Sequence, residues 1–302
     1  MKVSKLLRGL GFVGRVAAGA AAQGAQSVAL TGLEDALAEQ LGRVDGVAAV
    51  SIDRPVTSGG LARTYRARLT LIAGLDAAGV SSTVERCQAI FDEGRARSVL
   101  DPRLEVTVPV DDATVLLTTS RWKHAWNGPV DDTALQALLD EARVGGGTAE
   151  ASDGDVRLRF TASLEAVAPL LLGARPSGVG SWLRSWESDG ASVDVRSAAA
   201  PTPLRSTLFQ ALVAAGVQRM HIAPENRRSA LRPPGDVGDQ QAARWLATWR
   251  TAITDDAQWR VSVETIGAWR VTNDEVVALT EPHTSEEWRA RSARIAALLD
   301  DE

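Results

Sequence analysis

Apolar and polar positions alternate cleanly from 65 to 71. Tyr65, Ala67, Leu69 and Leu71 are apolar, with Arg66, Arg68 and Thr70 between them. A period of two predicts a half-buried strand. Ala48, Val50 and Ile52 give a shorter version of the same pattern just upstream, and a helix is expected before it over Leu33–Leu41. A second helix is expected from Ser82 to about Arg95. It leads to a strand with Leu104, Val106, Val108 and Val110 on one face, and the run ATVLLTT (113–119) pairs back through a turn at Asp111-Asp112.

The same sequence of elements is then expected again. A helix covers Thr133–Arg143 and ends at Gly145–Gly147. TAEAS and VRLRF form a hairpin about Asp153-Gly154, a dipeptide suited to positive φ, with Val156, Leu158 and Phe160 inward. Ser163 caps a helix that Pro169 and Gly173 disturb, a short helix follows at Val179–Trp186, and Val193 and Val195 mark the closing strand. A third pass has a helix at Leu204–Ala215 and a strand near Val217–Ile222. The polar stretch PENRRSALRPPGDVGD reads as a long loop, so the second hairpin strand is missing here. A helix at Gln240–Ile253 and a strand at Trp259, Val261 and Val263 complete the pass, and a capping box at Thr284-x-x-Glu287 opens a last helix, Glu286–Leu299.

The expected fold is therefore α+β: three tandem, degenerate αββαβ units, each an antiparallel sheet with helices on one face. The boundaries are a basic segment at 1–32, units at 33–121, 122–198 and 199–279, and a C-terminal helix at 280–302. Three stretches fit one helix face at i, i+3, i+4, i+7: Val84, Cys87, Gln88, Phe91; Val179, Trp182, Leu183, Trp186; and Ala242, Trp245, Leu246, Trp249. Arg184, Ser185, Arg244 and Arg250 fall on the other side, which makes the tryptophans core residues and Cys87 a buried small hydrophobe.

The order helix, strand, strand, helix, strand resembles ferredoxin-like or BON-like α+β modules. The segment Ala36-Leu37-Ala38-Glu39-Gln40-Leu41, followed by Val44-Asp45-Gly46-Val47-Ala48-Ala49-Val50, resembles the opening ALAxxLxxVxGVAxV of repeats in uncharacterised actinobacterial proteins, many of them predicted envelope proteins. The abundance of Ala and the preference for Arg over Lys resemble a high-GC, actinobacterial coding bias. The resemblance implies tandem modules and carries no catalytic signature. A lipid-attachment cysteine near the N-terminus, frequent in such envelope proteins, is not found.

Composition narrows the function classes. The chain has 302 residues, 45% hydrophobic and 24% charged, with net charge -5, which fits a packed core and argues against nucleic acid as the main partner. Cys87 is the sole cysteine, so no intrachain disulfide and no cysteine-based metal site can form. No stretch approaches the roughly 18 apolar residues of a membrane span.

Gly9, Gly11 and Gly14 spell G-x-G-x-x-G, but Lys2, Lys5 and Arg8 break the lead-in that a buried parallel strand needs. Glu34 opens a helix instead of ending a second strand, so no dinucleotide cofactor is expected. Val3, Leu6, Leu7, Leu10, Val13 and Ala17 share a helical face, and the basic residues lie elsewhere. Residues 1–17 thus read either as an interfacial helix touching an anionic membrane surface or a partner, with Lys2, Lys5, Leu6 and Leu10 as contacts, or as a loosely docked terminus. An inefficient export signal is the third reading.

His124, His221 and His283 lie apart with no second ligand at metal spacing, and Asp111-Asp112, Asp131-Asp132 and Asp255-Asp256 read as turns and caps. Trp122 and Trp126 are either an inter-unit seam or an exposed contact. His221 with Glu225, Asn226, Arg227 and Arg228 is the one polar cluster placed to hold a ligand, against the reading of a solvated connection. Arg66, Arg68, Arg157, Arg159 and Arg260 point outward from strands, where Glu105, Asp194 and Glu264 favour cross-strand ion pairs over a single basic face.

The leading expectation is a non-catalytic binding or scaffold protein with a protein partner, cytoplasmic and peripherally membrane-associated. The alternatives are a small-ligand or nucleotide-binding protein or enzyme using the 9–14 glycine turn or the 221–228 loop, and an exported cell-envelope protein.

Overall fold

The computed structural model describes residues 35–53, 64–95, 101–118, 131–152, 154–188, 190–280 and 285–300. These residues fall into two compact units. One takes the described residues up to Pro109 together with Leu116–Asp132, and the other takes Val110–Val115 and everything from Thr133. The expected segments at 122–198, 199–279 and 280–302 have their described residues from Thr133 onward in one and the same unit. The 1–32 segment, with Lys2, Lys5, Leu6, Leu10 and the glycine turn, lies outside the described residues, as do Trp122 and Trp126.

In the first unit a helix over 35–42 (α1) precedes β1 (Val47–Asp53) and β2 (Thr64–Leu71), an antiparallel pair. α2 (Ala77–Arg95) crosses to β3 (Asp101–Val110), which runs parallel to β2, and β4 (Ala113–Thr118) follows beside it. Ala67, Leu69 and Leu71 are buried as the alternation requires, as are Leu104, Val106, Val108 and Val110. β1 departs from its pattern. A register shift between Val47 and Ala49 leaves Ala48 and Ala49 exposed and Val50 and Ile52 half-buried. Val84, Cys87 and Phe91 of α2 are buried together, and burial pushes the Cys87 thiol up to about 11, the state of an inert thiol.

The second unit repeats one step, hairpin then helix. α3 (Asp132–Gly145) leads to β5 (Gly147–Ser152) and β6 (Asp155–Phe160), an antiparallel pair joined through Gly154 at φ +79. α4 (Leu164–Leu171), capped by Ser163 Oγ accepting from the Ala166 amide at 3.3 Å, leads to β7 (Ser181–Ser188) and β8 (Ala191–Arg196). α5 (Thr207–Ala214) leads to β9 (Arg219–Ala223) and β10 (Arg228–Arg232). α6 (Asp239–Ala252) leads to β11 (Trp259–Val263), β12 (Gly267–Val271) and β13 (Val276–Ala278), and α7 (Glu286–Asp300) closes the unit.

Five expectations are corrected. The sheet is mixed: in the second unit the crossovers through α4, α5 and α6 join parallel strands (β6 to β7, β8 to β9, β10 to β11), while the hairpins β5/β6, β7/β8, β9/β10 and β11/β12 are antiparallel. Each pass also ends on a hairpin, not on a single strand. The stretch SWLRSW, expected as a helix, is strand β7. Its Trp182, Arg184 and Trp186 point inward and Leu183 outward, so the likeness to the RWLATW helix is one of letters only. The missing hairpin strand is present as β10, where Ser229 and Leu231 turn inward and Arg228, Ala230 and Arg232 outward. The cap of α7 is Ser285, whose Oγ accepts from the Trp288 amide at 3.2 Å. Thr284 lies outside the described residues.

Strands of the second unit occur in the sheet in chain order, and successive helices α4 to α7 pack side by side on one face. β7 and β8 run opposite ways, so the parallel pairs β6/β7 and β8/β9 also oppose each other while stepping in the same direction. With α4 and α5 on a common face, one of these crossovers is right-handed and the other left-handed, against the strong right-handed rule.

The covered face holds Trp182, Trp245, Trp249, Trp259 and Trp269, all fully buried. Trp245 donates to Ala215 O and Trp269 to Ser292 O, each at 3.0 Å, while Trp249 meets Trp259 edge-on at 5.8 Å between centroids.

An ionic latch holds α7 to α6. Arg291 donates to Asp239 Oδ1 at 2.8 Å and to Val237 O, and Arg294 reaches Oδ2 at 3.3 Å. The hydrogen bond from Arg291 holds the Asp239 carboxyl below the usual carboxylate range. A depressed folded pKa contributes stability that is present above the unfolded value, about 3.9, and is lost as pH falls through the folded one. Urea unfolding followed from about pH 6 to about pH 3 should show a loss in the wild type that is smaller in Asp239→Asn.

Candidate functional site

One face of the second unit's sheet is covered by helices, and among the described residues no element covers the other. Period-two alternation puts Arg157 and Arg159 of β6, Arg196 of β8, Arg219 and His221 of β9, and Arg228 and Arg232 of β10 on the open side, all exposed. No aromatic side chain of strands β5 to β13 faces that way: Phe160, Trp182, Trp186, Trp259 and Trp269 are all inward.

The register sorts the open face into rows. Arg159, Ser185, Asp194, His221, Ala230 and Ser262 lie across β6 to β11 in one line. Ser185 Oγ donates to Asp194 Oδ1 at 2.6 Å. A serine, an acid and a histidine are thus neighbours, but the serine bonds the carboxylate directly. No imidazole stands between them to take its proton, as nucleophilic catalysis requires. Toward the β7–β8 turn an open cleft of about 590 Å³ is lined by Glu187, Ser192, Gln218, Arg219 and Arg232, and Glu264 reaches Arg232 at 3.1 Å.

In the first unit the outward arginines are neutralised, as the sequence predicts. Arg66 reaches Glu105 at 3.1 Å, and Arg68 reaches Glu105 at 3.3 Å and Asp53 at 3.0 Å. In the second unit Arg157, Arg159, Arg196 and Arg228 make no ion pair with a described residue. The positive face that the sequence sets second to ion pairing is present there.

The cluster expected at 221–228 is taken apart by β10. His221 stands on β9, opposite Asp194 and Ala230. A single 3-10 turn, Pro224–Asn226, and Arg227 at φ 49 make the hairpin. Glu225 turns to Arg175 at 3.6 Å and Arg227 to Asp255 at 3.8 Å, so His221, Glu225 and Arg227 share no pocket. The paired acids act in turns and caps: Asp111 has φ 49, Asp132 sits in the first turn of α3, and Asp255 Oδ1 accepts from the Ala257 amide at 3.1 Å. Among the described residues no group of three or more His, Cys, Asp and Glu side chains is placed to hold a metal ion. No helix of the described residues is long and apolar enough to cross a membrane.

Sequence reading missed Arg196 and Arg270, and it put Arg228 in a loop cluster where the structure has it on strand β10. The runs VDVR and RSALR carry the period-two signal, but loop composition around the second hides it.

The chain matches no protein-family model, no curated protein and no solved structure. Its functional reading therefore rests on the faces just described.

One polar cluster is buried and closed. Arg184, 1% exposed, donates through Nε to Glu141 Oε2 at 2.7 Å and through Nη2 to Glu141 Oε1 and Ala174 O. Nη1 serves Gly173 O and Ser197 Oγ. All five guanidinium protons have acceptors, and its carbon lies 5.6 Å from the Trp182 ring centroid. Trp182 Nε1 also donates to Glu141 Oε2, at 3.3 Å. This network ties α3 to β7 and leaves no group free for a substrate.

Proposed function

We propose that the chain is a non-catalytic binding or scaffold protein that engages a protein partner with the open face of the sheet in its second unit. The observation that carries this reading is the one-sided sheet: every aromatic side chain of strands β5 to β13 is committed to the helix-covered face, and the other presents an array of exposed polar groups on strands. The recurring hairpin and helix support the modular organisation that the likeness to ferredoxin-like or BON-like repeats implies. Peripheral association with an anionic membrane surface through residues 1–17 belongs to the same reading and rests on their basic, amphipathic pattern.

A photo-crosslinking residue at Ala230, exposed on the open face, should give a discrete adduct in lysate of the native host. The same residue at Arg244, exposed on α6, should not. The adduct's partner is identified by mass spectrometry. Adducts from position 244 and none from position 230 would overturn the reading.

A further inference from the structure

The cleft beside the β7–β8 turn has a floor set by strand register. Glu187 on β7 is opposite Ser192 on β8, and Ser192 is opposite Arg219 on β9. Arg219 is opposite Arg232 on β10. Leu231 is opposite Val263, so Arg232 continues to Glu264, just past β11. Across the strands the floor reads acid, hydroxyl, arginine, arginine, acid, and all of these residues line the cleft. Backbone hydrogen bonds fix the strands beneath it. The Ser192 amide donates to Gln218 O at 2.7 Å, and the Gln218 amide donates to Arg232 O at 3.0 Å. Pro233 and Pro234 supply a wall whose φ angles their rings hold.

Like charges directly opposite each other on neighbouring strands destabilise a sheet. Glu264 relieves Arg232, at 3.1 Å. Arg219 has no such relief. Its side chain makes no hydrogen bond or ion pair with a described residue, and neither does that of Glu187. The two stand two strand spacings apart, roughly 9.6 Å, with Ser192 between them. A charge-assisted hydrogen bond of about 2.8 Å at each end leaves roughly 4 Å for the charge separation of a ligand that bridges them.

We infer that this cleft binds a small zwitterion of the amino-acid or short-peptide class, with its carboxylate on Arg219 and its ammonium on Glu187. The guanidinium fork takes a carboxylate in two parallel hydrogen bonds. The cleft volume, about 590 Å³, lies within the range of small-ligand sites, about 300–1,000 Å³. The lining opposes a phosphate dianion, because it sets Glu187, Asp236 and Glu264 against Arg219 and Arg232. A ligand with one charge of each sign meets a partner for both. This site goes beyond the protein-binding reading and does not depend on it. The crosslink at position 230 bears on the protein partner alone, so the two fail separately.

The test titrates the isotope-labelled full chain with glycylglycine and follows the arginine side-chain signals by heteronuclear NMR. Glycylglycinamide lacks the carboxylate, N-acetylglycylglycine lacks the ammonium, and inorganic phosphate is the competing anion. Glycylglycine should bind, and each capped form should bind about tenfold more weakly, the worth of one charge-assisted hydrogen bond. Arg219→Gln should lose about the same factor for glycylglycine and no longer distinguish it from the amide. Glu187→Gln should likewise no longer distinguish it from the N-acetyl form, and provides the second readout if the Arg219 variant does not fold. Arg244→Gln, on the exposed side of α6, should change binding by less than about twofold.

Absence of shifts up to about 20 mM glycylglycine would overturn the inference, since a ligand of this size in a matched site binds in the millimolar range. Tighter binding of phosphate than of glycylglycine would overturn it, as would equal binding of glycylglycine and its amide or equal losses in the Arg219 and Arg244 variants.

Discussion

Glu141→Ala should lower the free energy of unfolding by about 3–5 kcal/mol, the cost of leaving a buried charge without its partner. Arg184 is 1% exposed, and the variant removes the acceptor of two of its five donors and of the Trp182 indole. Water cannot take over without opening the contact between α3 and β7. The double variant Glu141→Leu with Arg184→Met should recover most of the loss, because an apolar pair of similar volume avoids desolvating both charges. Urea unfolding of the two single variants and the double variant gives the coupling directly. A loss below about 1 kcal/mol for Glu141→Ala would mean that the pair is hydrated and the network is not closed.

Gly147→Ala should cost about 3 kcal/mol, and here the backbone sets the penalty. Gly147 opens β5 at φ +79, and a Cβ there would lie 2.2 Å from the carbonyl oxygen of Arg159 on the paired strand. The left-handed conformation costs a residue with a Cβ roughly 1–2 kcal/mol, and relieving the contact requires the hairpin itself to shift, adding roughly 1–3 kcal/mol. Gly190 separates the two contributions. Its φ is +78, but a Cβ added there would meet nothing within 4 Å, so Gly190→Ala should cost only about 1 kcal/mol. Equal losses at the two sites in denaturant unfolding would show that the steric contribution at Gly147 is absent.

The alternating strands are legible where one face is wholly apolar. VRLRF, residues 104–110 and the hairpin at Gly154 form as expected, because period two and turn chemistry agree there. SWLRSW misleads for a physical reason. Trp182 and Trp186 stand four apart, which fits a helix face and a strand face equally. The choice between them depends on Arg184, and charge assigns that residue to solvent. Its partner, Glu141, is 43 residues upstream, and no local pattern announces a buried arginine with all its donors satisfied. β10 is hidden because only Ser229 and Leu231 turn inward and Pro233 follows at once, so five residues carry too little apolar signal to outweigh loop composition. The supposed 221–228 ligand loop has the same origin, and with β10 in place its residues separate onto a strand and a turn. That the exposed arginines of β6, β8, β9 and β10 share one face needs the register of successive strands, which pattern reading of one strand at a time does not supply.

In the second unit strand order in the sheet follows chain order, with each hairpin from β5 onward laid beside the one before it. The pairing partner of any strand in that unit is thus never more than one helix away along the chain. Loop-closure entropy stays small at every step, and topologies dominated by such near-neighbour pairings fold fast for their size. During synthesis each hairpin of the second unit can dock on a template that has already left the ribosome, without waiting for the C-terminus. The alternating hand of the crossovers has a counterpart in this order of events: a helix has only to fold back over the strand just made, and whichever hand keeps it on the apolar side is the one the growing chain takes.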